Sequence, residues 1–153
     1  MLTKSELATG IRFAGERAAA AAESTADWDV VLGNGWTTHA TFSHVAATAG
    51  GAEGIFPLLE TDVLNGMGVD AVAGGNAQSI EGKKSDSKEQ IIQAIRDGHE
   101  ASAKFVEGCD DADLAKVVSL GDYTMTKGEI VGQIWINHAI AHSYEASARW
   151  PLA

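Results

Sequence analysis

A single cysteine, Cys109, rules out an internal disulfide and any cysteine-rich metal site. A chain with so little use for disulfides suits a reducing compartment, and the cytoplasm is the simplest expectation. Positive charge is scarce as well: 11 Lys and Arg stand against 21 Asp and Glu, a formal charge of −10. Polyanions are not drawn to such a surface, so neither nucleic acid nor an anionic membrane is expected as a partner. No apolar run approaches the roughly 20 residues of a membrane span, and the opening MLTKSELATG is charged and polar where a signal peptide is apolar. Strand signals are nearly absent, and no internal repeat is visible.

Helix signals fill the space these absences leave. With 45% hydrophobic and 21% charged residues, the 153-residue chain reads as one folded domain over residues 1–153. A first helix is expected from about Thr3 to Ser24, opened by a Thr3–Glu6 capping box and carried by ERAAAAAE. The turn LGNGW follows, and Thr37 caps a second helix that weakens at Gly50 and Gly51. Residues 52–84 read as short helical pieces joined by loops. A third helix runs from Ser85 to about Gly108, with Ile91, Ile92 and Ile95 on one face. The fourth opens with a Thr126–Glu129 box and closes near Trp150 and Pro151. The expected fold is all-α, a four-helix bundle with a long crossover between helices 2 and 3.

The fourth helix carries IWINHAIAHSYEA, in which His138 and His142 stand four apart. At 100° per residue they share a sector with Val131, Ile134, Trp135 and Glu145, so the imidazoles point into the bundle. Buried imidazoles need partners, and one divalent cation satisfies a nitrogen of each ring. A third histidine, His44, lies in the middle of helix 2, where a bundle brings it against the middle of helix 4.

The stretch GWTTHATFSH, with His44 eight residues after Trp36, resembles the second-helix motif of the DinB-like superfamily, which includes the mycothiol-dependent maleylpyruvate isomerases. HAIAH is similar to that superfamily's second and third ligand positions. DWD before the turn, GGNAQSI before helix 3 and DDADL after it follow in the same order. The resemblance implies a DinB-like bundle with one metal ion, zinc or nickel, on His44, His138 and His142, and water completing its shell. It also implies a low-molecular-weight thiol as cosubstrate of a transferase or isomerase. Two positions depart from the pattern: Ala40 stands where an acidic capping residue is frequent, and His138 stands where the isomerase branch often has Glu.

Three neutral imidazoles leave a divalent ion its full charge, enough to acidify bound water toward a pKa of about 7 or to hold a thiol as thiolate. Hydrolysis by such a water, and a non-enzymatic metal-binding or stress-related role, are the alternatives. Around the site, Glu145 can orient the His142 ring or pair with Arg149, and His99 reads either as a group behind the ligands or as a helix-surface histidine. Trp36 and Trp135 read as core or as cavity walls. His39, five residues before His44, points about 140° away and is expected to be exposed or capping. Cys109, beside Asp110 and Asp111, is expected to be a poor nucleophile. Finally, Ile136 and Ile140 lie about 160° from His138, with Tyr144 beside them. Either residues 52–84 cover this stripe or a second copy does, in a homodimer.

Overall fold

The computed structural model describes residues 2–148 apart from Gly68 and Gly121. The expected helix end at Trp150 and Pro151, and the Glu145–Arg149 pair, lie outside the described residues. What is described is mostly helical, with one small two-stranded sheet.

Local capping starts the long helices. Helix α1 (Lys4–Ser24) opens at Thr3, whose hydroxyl accepts the Glu6 amide while the Glu6 carboxylate accepts the Thr3 amide at 2.8 Å. Its buried stripe, Leu7, Ile11, Ala14, Ala18 and Ala22, follows helical spacing. Helix α2 (Thr38–Ala49) is capped by Thr37, whose hydroxyl accepts the Ala40 amide. Between it and the next long helix come α3 (Ala52–Ile55), a 3-10 turn (Phe56–Glu60), α4 (Asp62–Asn65) and α5 (Val69–Glu81). Helix α6 (Lys88–Gly108) begins later than the expected Ser85 because Ser87 and Gln90 form the reciprocal box. Ser85 has Lys88 three residues on, which cannot return such a bond.

After α7 (Asp111–Leu114), strands β1 (Val117–Leu120) and β2 (Tyr123–Thr126) form an antiparallel hairpin that pairs Val117 with Thr126 and Leu120 with Tyr123. The reading of the sequence missed it. The sequence KVVSLGDYTMT is rich in β-branched residues and contains a Gly-Asp pair, but each strand is only four residues long. Thr126 then caps α8 (Lys127–Gly132) through its box with Glu129. A π-helical turn (Gln133–Asn137) joins α8 to α9 (His138–Ala148), so the three pieces run on as one rod.

Helix α1 packs against α6 and α9, and α2 packs against the same two; α5 lies on α2. Phe42, Val45, Ile91, Ile95 and the alanines of α1 fill one part of the core, and Leu7, Ile11, Phe56, Val131 and Trp135 another. Because the α8–α9 rod has α1 on one flank and α2 on the other, both of its faces are apolar. Ile136 and Ile140 are half-buried against this core. At Gly10 of α1 an added Cβ would stand 2.6 Å from Ile136 Cδ1, so the missing side chain is what admits the isoleucine. Helix α1 therefore packs against Ile136, one residue of the stripe on which the homodimer expectation rested; Ile140 is half-buried and Tyr144 is exposed, at 55%. Among the described residues, no helix is long and apolar enough to cross a membrane.

Candidate metal centre

The loop before α2 is built to place one indole. Gly35 takes φ +85°, which glycine adopts without steric cost. The Asn34 side-chain oxygen accepts the Trp36 amide at 2.9 Å, and the Leu32 amide donates to the Trp36 carbonyl at 2.7 Å. A bridge between Val31 and Thr37 closes the turn, and Thr37 at once caps α2. Capping here falls to Thr37 Oγ1, so no acidic side chain is needed at Ala40.

Helix α2 then presents His44, 4% exposed, to the first turn of α9. There the π-helical turn does the local work: the His138 amide bonds back to the Gln133 carbonyl, five residues earlier, which rotates α9 relative to α8. The result brings His44, His138 and His142 together. His44 Nε2 and His138 Nε2 are 2.8 Å apart, and one nitrogen from each of the three rings lies within 4.8 Å of the others. The ring centroids stand 4.6 to 5.2 Å apart, each pair nearly perpendicular.

This donor set fits a divalent cation. Nitrogens bound tetrahedrally at about 2.0–2.1 Å from zinc are about 3.3 Å apart, so the rings need shift only modestly to reach a common centre. Burial, followed by the nearness of His142, lowers the His44 pKa to about 4; burial, His142 and His44 lower that of His138 to about 4. Both rings are thus neutral at pH 7, the form in which imidazole is a ligand. His142 Nδ1 donates to Glu145 Oε2 at 2.9 Å, the carboxylate–histidine arrangement that orients metal ligands. His44 Nδ1, by contrast, is buried without a hydrogen-bond partner among the described residues.

The other singled-out residues settle elsewhere. His99 is no helix-surface group: it is 2% exposed, and its Nδ1 donates to the Ile95 carbonyl at 2.8 Å. Its side chain falls on the buried stripe of α6 with Ile92, Ile95, Ser102 and Ala103, a placement its polar neighbours in RDGHEAS conceal. His39 is neither free nor capping. Its Nε2 faces the Asp86 carbonyl at 3.2 Å and its Nδ1 faces Ser43 Oγ at 3.3 Å, tying α2 to the turn before α6. Trp135 packs in the core with Phe56 and donates from Nε1 to the Thr48 carbonyl at 3.1 Å, one turn along α2 from His44. Trp36 instead meets the cluster directly, edge to face with His44 at 5.2 Å and nearly parallel to His142 at 6.0 Å. Burial, then Asp113, raises the Cys109 pKa, and its thiol points back at the Phe105 carbonyl.

The π-helical turn escaped sequence reasoning, since a uniform 100° wheel has no place for it. Gly132 immediately before it and the uncharged run GQIWIN are its only trace in the sequence. No protein-family model, no curated protein and no solved structure matches the chain.

Proposed function

We propose that this protein is a metal-dependent enzyme of the DinB-like type, a transferase or isomerase that uses a low-molecular-weight thiol. In this reading α1, α2, α6 and the α8–α9 rod are the four helices of the bundle, and residues 50–87 are its long crossover. One zinc or nickel ion sits on His44, His138 and His142. The observation that carries the reading is the convergence of three ring nitrogens from two helices, two of them on rings held neutral.

When bound, a divalent ion supplies the positive charge that makes a thiol or water nucleophilic at neutral pH. The chain's own residues do the rest. His44 and His138 contribute no charge of their own, so these two ligands do not offset the cation. Glu145 holds the His142 ring and keeps its proton on Nδ1, leaving Nε2 as the donor atom. Trp36 packs against the His44 and His142 rings. The small-molecule substrate and thiol approach past Trp36, His138 and His142, which stay partly exposed while His44 is buried.

Metal analysis of the purified protein, joined to a screen of low-molecular-weight thiols against model electrophiles, tests this. One zinc or nickel per chain with thiol-dependent turnover is expected. Turnover without thiol replaces the reading with a hydrolase, and a chain that takes up neither metal ends it.

A further inference from the structure

Three histidines show how this fold treats a second ring nitrogen. His39 Nδ1 faces the Ser43 hydroxyl at 3.3 Å, His99 Nδ1 donates to the Ile95 carbonyl at 2.8 Å, and His142 Nδ1 donates to Glu145 at 2.9 Å. Each has an oxygen. His44 breaks the pattern: its Nε2 faces His138, while its Nδ1 is buried and has no hydrogen-bond partner among the described residues. A neutral imidazole carries one ring proton, and a metal at Nε2 leaves Nδ1 as its only place. The site as proposed therefore creates a buried N–H donor with no oxygen to receive it.

One aromatic ring that could accept it meets His44 edge to face. The Trp36 indole meets the His44 ring at 5.2 Å between centroids and 67° between planes, the edge-to-face arrangement in which a positive ring edge meets a negative π face. An aromatic face accepts N–H donors weakly in water and more usefully where water is excluded. Its own turn holds the indole there, through Asn34 on one side of the backbone and Leu32 on the other.

We infer that the indole face of Trp36 receives the Nδ1–H of His44 and so sets which His44 nitrogen the metal meets. Trp36 does for His44 what Glu145 does for His142, without adding negative charge to the site. It is a positioning residue, and the inference rests on the metal reading above.

Zinc-loaded protein labelled with 15N-histidine separates the possibilities. In the wild type, the His44 Nδ1 proton should lie upfield of the His99 and His142 ring protons, because a proton over an aromatic face is shielded. Trp36→Phe should keep that shift. Trp36→Leu should lose it and weaken zinc binding by about 10-fold or more, the usual effect of removing a ligand's outer partner. An unshifted His44 proton in the wild type, or full zinc affinity in Trp36→Leu, overturns the inference and leaves the metal site standing. A wild type that takes up no zinc removes both.

Discussion

Lys127 and His44 are both buried polar side chains, 1% and 4% exposed, yet the protein treats them in opposite ways. The Lys127 ammonium is answered from two other elements: Glu60 at 2.6 Å, Asp113 at 3.1 Å, and the face of Phe56 at 3.7 Å. His44 is kept neutral and only half answered, with a second imidazole at one nitrogen and no hydrogen bond at the other. A buried charge whose partners all come from the chain is complete and serves the fold. A partly buried cluster of imidazoles from two helices could instead hold a metal ion. The first ties the 3-10 turn, α7 and the start of α8 together; the second gathers three ring nitrogens that could hold a metal ion.

The strongest test of this contrast is His44→Ala. Loss of one of three ligands should weaken zinc binding on the order of a thousand-fold, about 4 kcal/mol, while the metal-free protein still unfolds cooperatively. Titration against a competing chelator checks it, and undiminished affinity would take His44 out of the site. Lys127→Ala should do the reverse. Removing a fully buried side chain together with its ion pairs should cost about 3 kcal/mol in urea denaturation, with zinc affinity unchanged. If zinc binding falls equally, the two regions are not separable.

Glu145→Gln is a finer probe. It keeps the size of the side chain but removes the carboxylate charge behind His142, and a fall of about 10-fold in zinc affinity, roughly 1.4 kcal/mol, is expected. The smallest effect is the pH dependence at Lys127. Bonds from Lys127 and then Lys116 hold the Glu60 pKa low, and bonds from Lys116 and then Lys127 do so for Asp113. Carboxylates with depressed folded pKa values contribute stability that is complete above the ordinary carboxylate range near 4 and is lost as pH falls through it toward the folded values. Lys127→Met should flatten that part of an acid-denaturation curve only slightly, because both carboxylates remain in contact with solvent and with Lys116. An unaltered curve would show that Lys116 alone sets the response.

Much of this architecture can be read from nearby residues. The Thr3–Glu6 and Thr126–Glu129 boxes were legible because each is complete within four residues. The pairing of His138 with His142 was legible for the same reason, since one helical turn places them on a common face. The hairpin at Val117–Thr126 was not legible, because its short strands depend on packing from distant chain, with the 3-10 turn and α4 against β1. Nor was the burial of His99, whose neighbours Asp97, Gly98 and Glu100 look like a solvated stretch until α6 is packed. The packing at Ile136 and Ile140 was hidden for a related reason: a wheel shows which residues share a face but not what packs on it.

The sequence by itself determined the helices, their starts, the lack of disulfides, and the presence of three histidines at positions that helices could bring together. These follow from hydrogen bonds and side-chain spacings that close within a turn or two of chain. Tertiary structure alone decided that one nitrogen of each of the three rings comes within 4.8 Å of the others, that a π-helical turn precedes His138, and that His44 has a buried nitrogen without a hydrogen-bond partner among the described residues and a ring that meets Trp36. Such relations depend on how α2 lies against α9, and that is decided by burial summed over the whole core rather than by any local pattern.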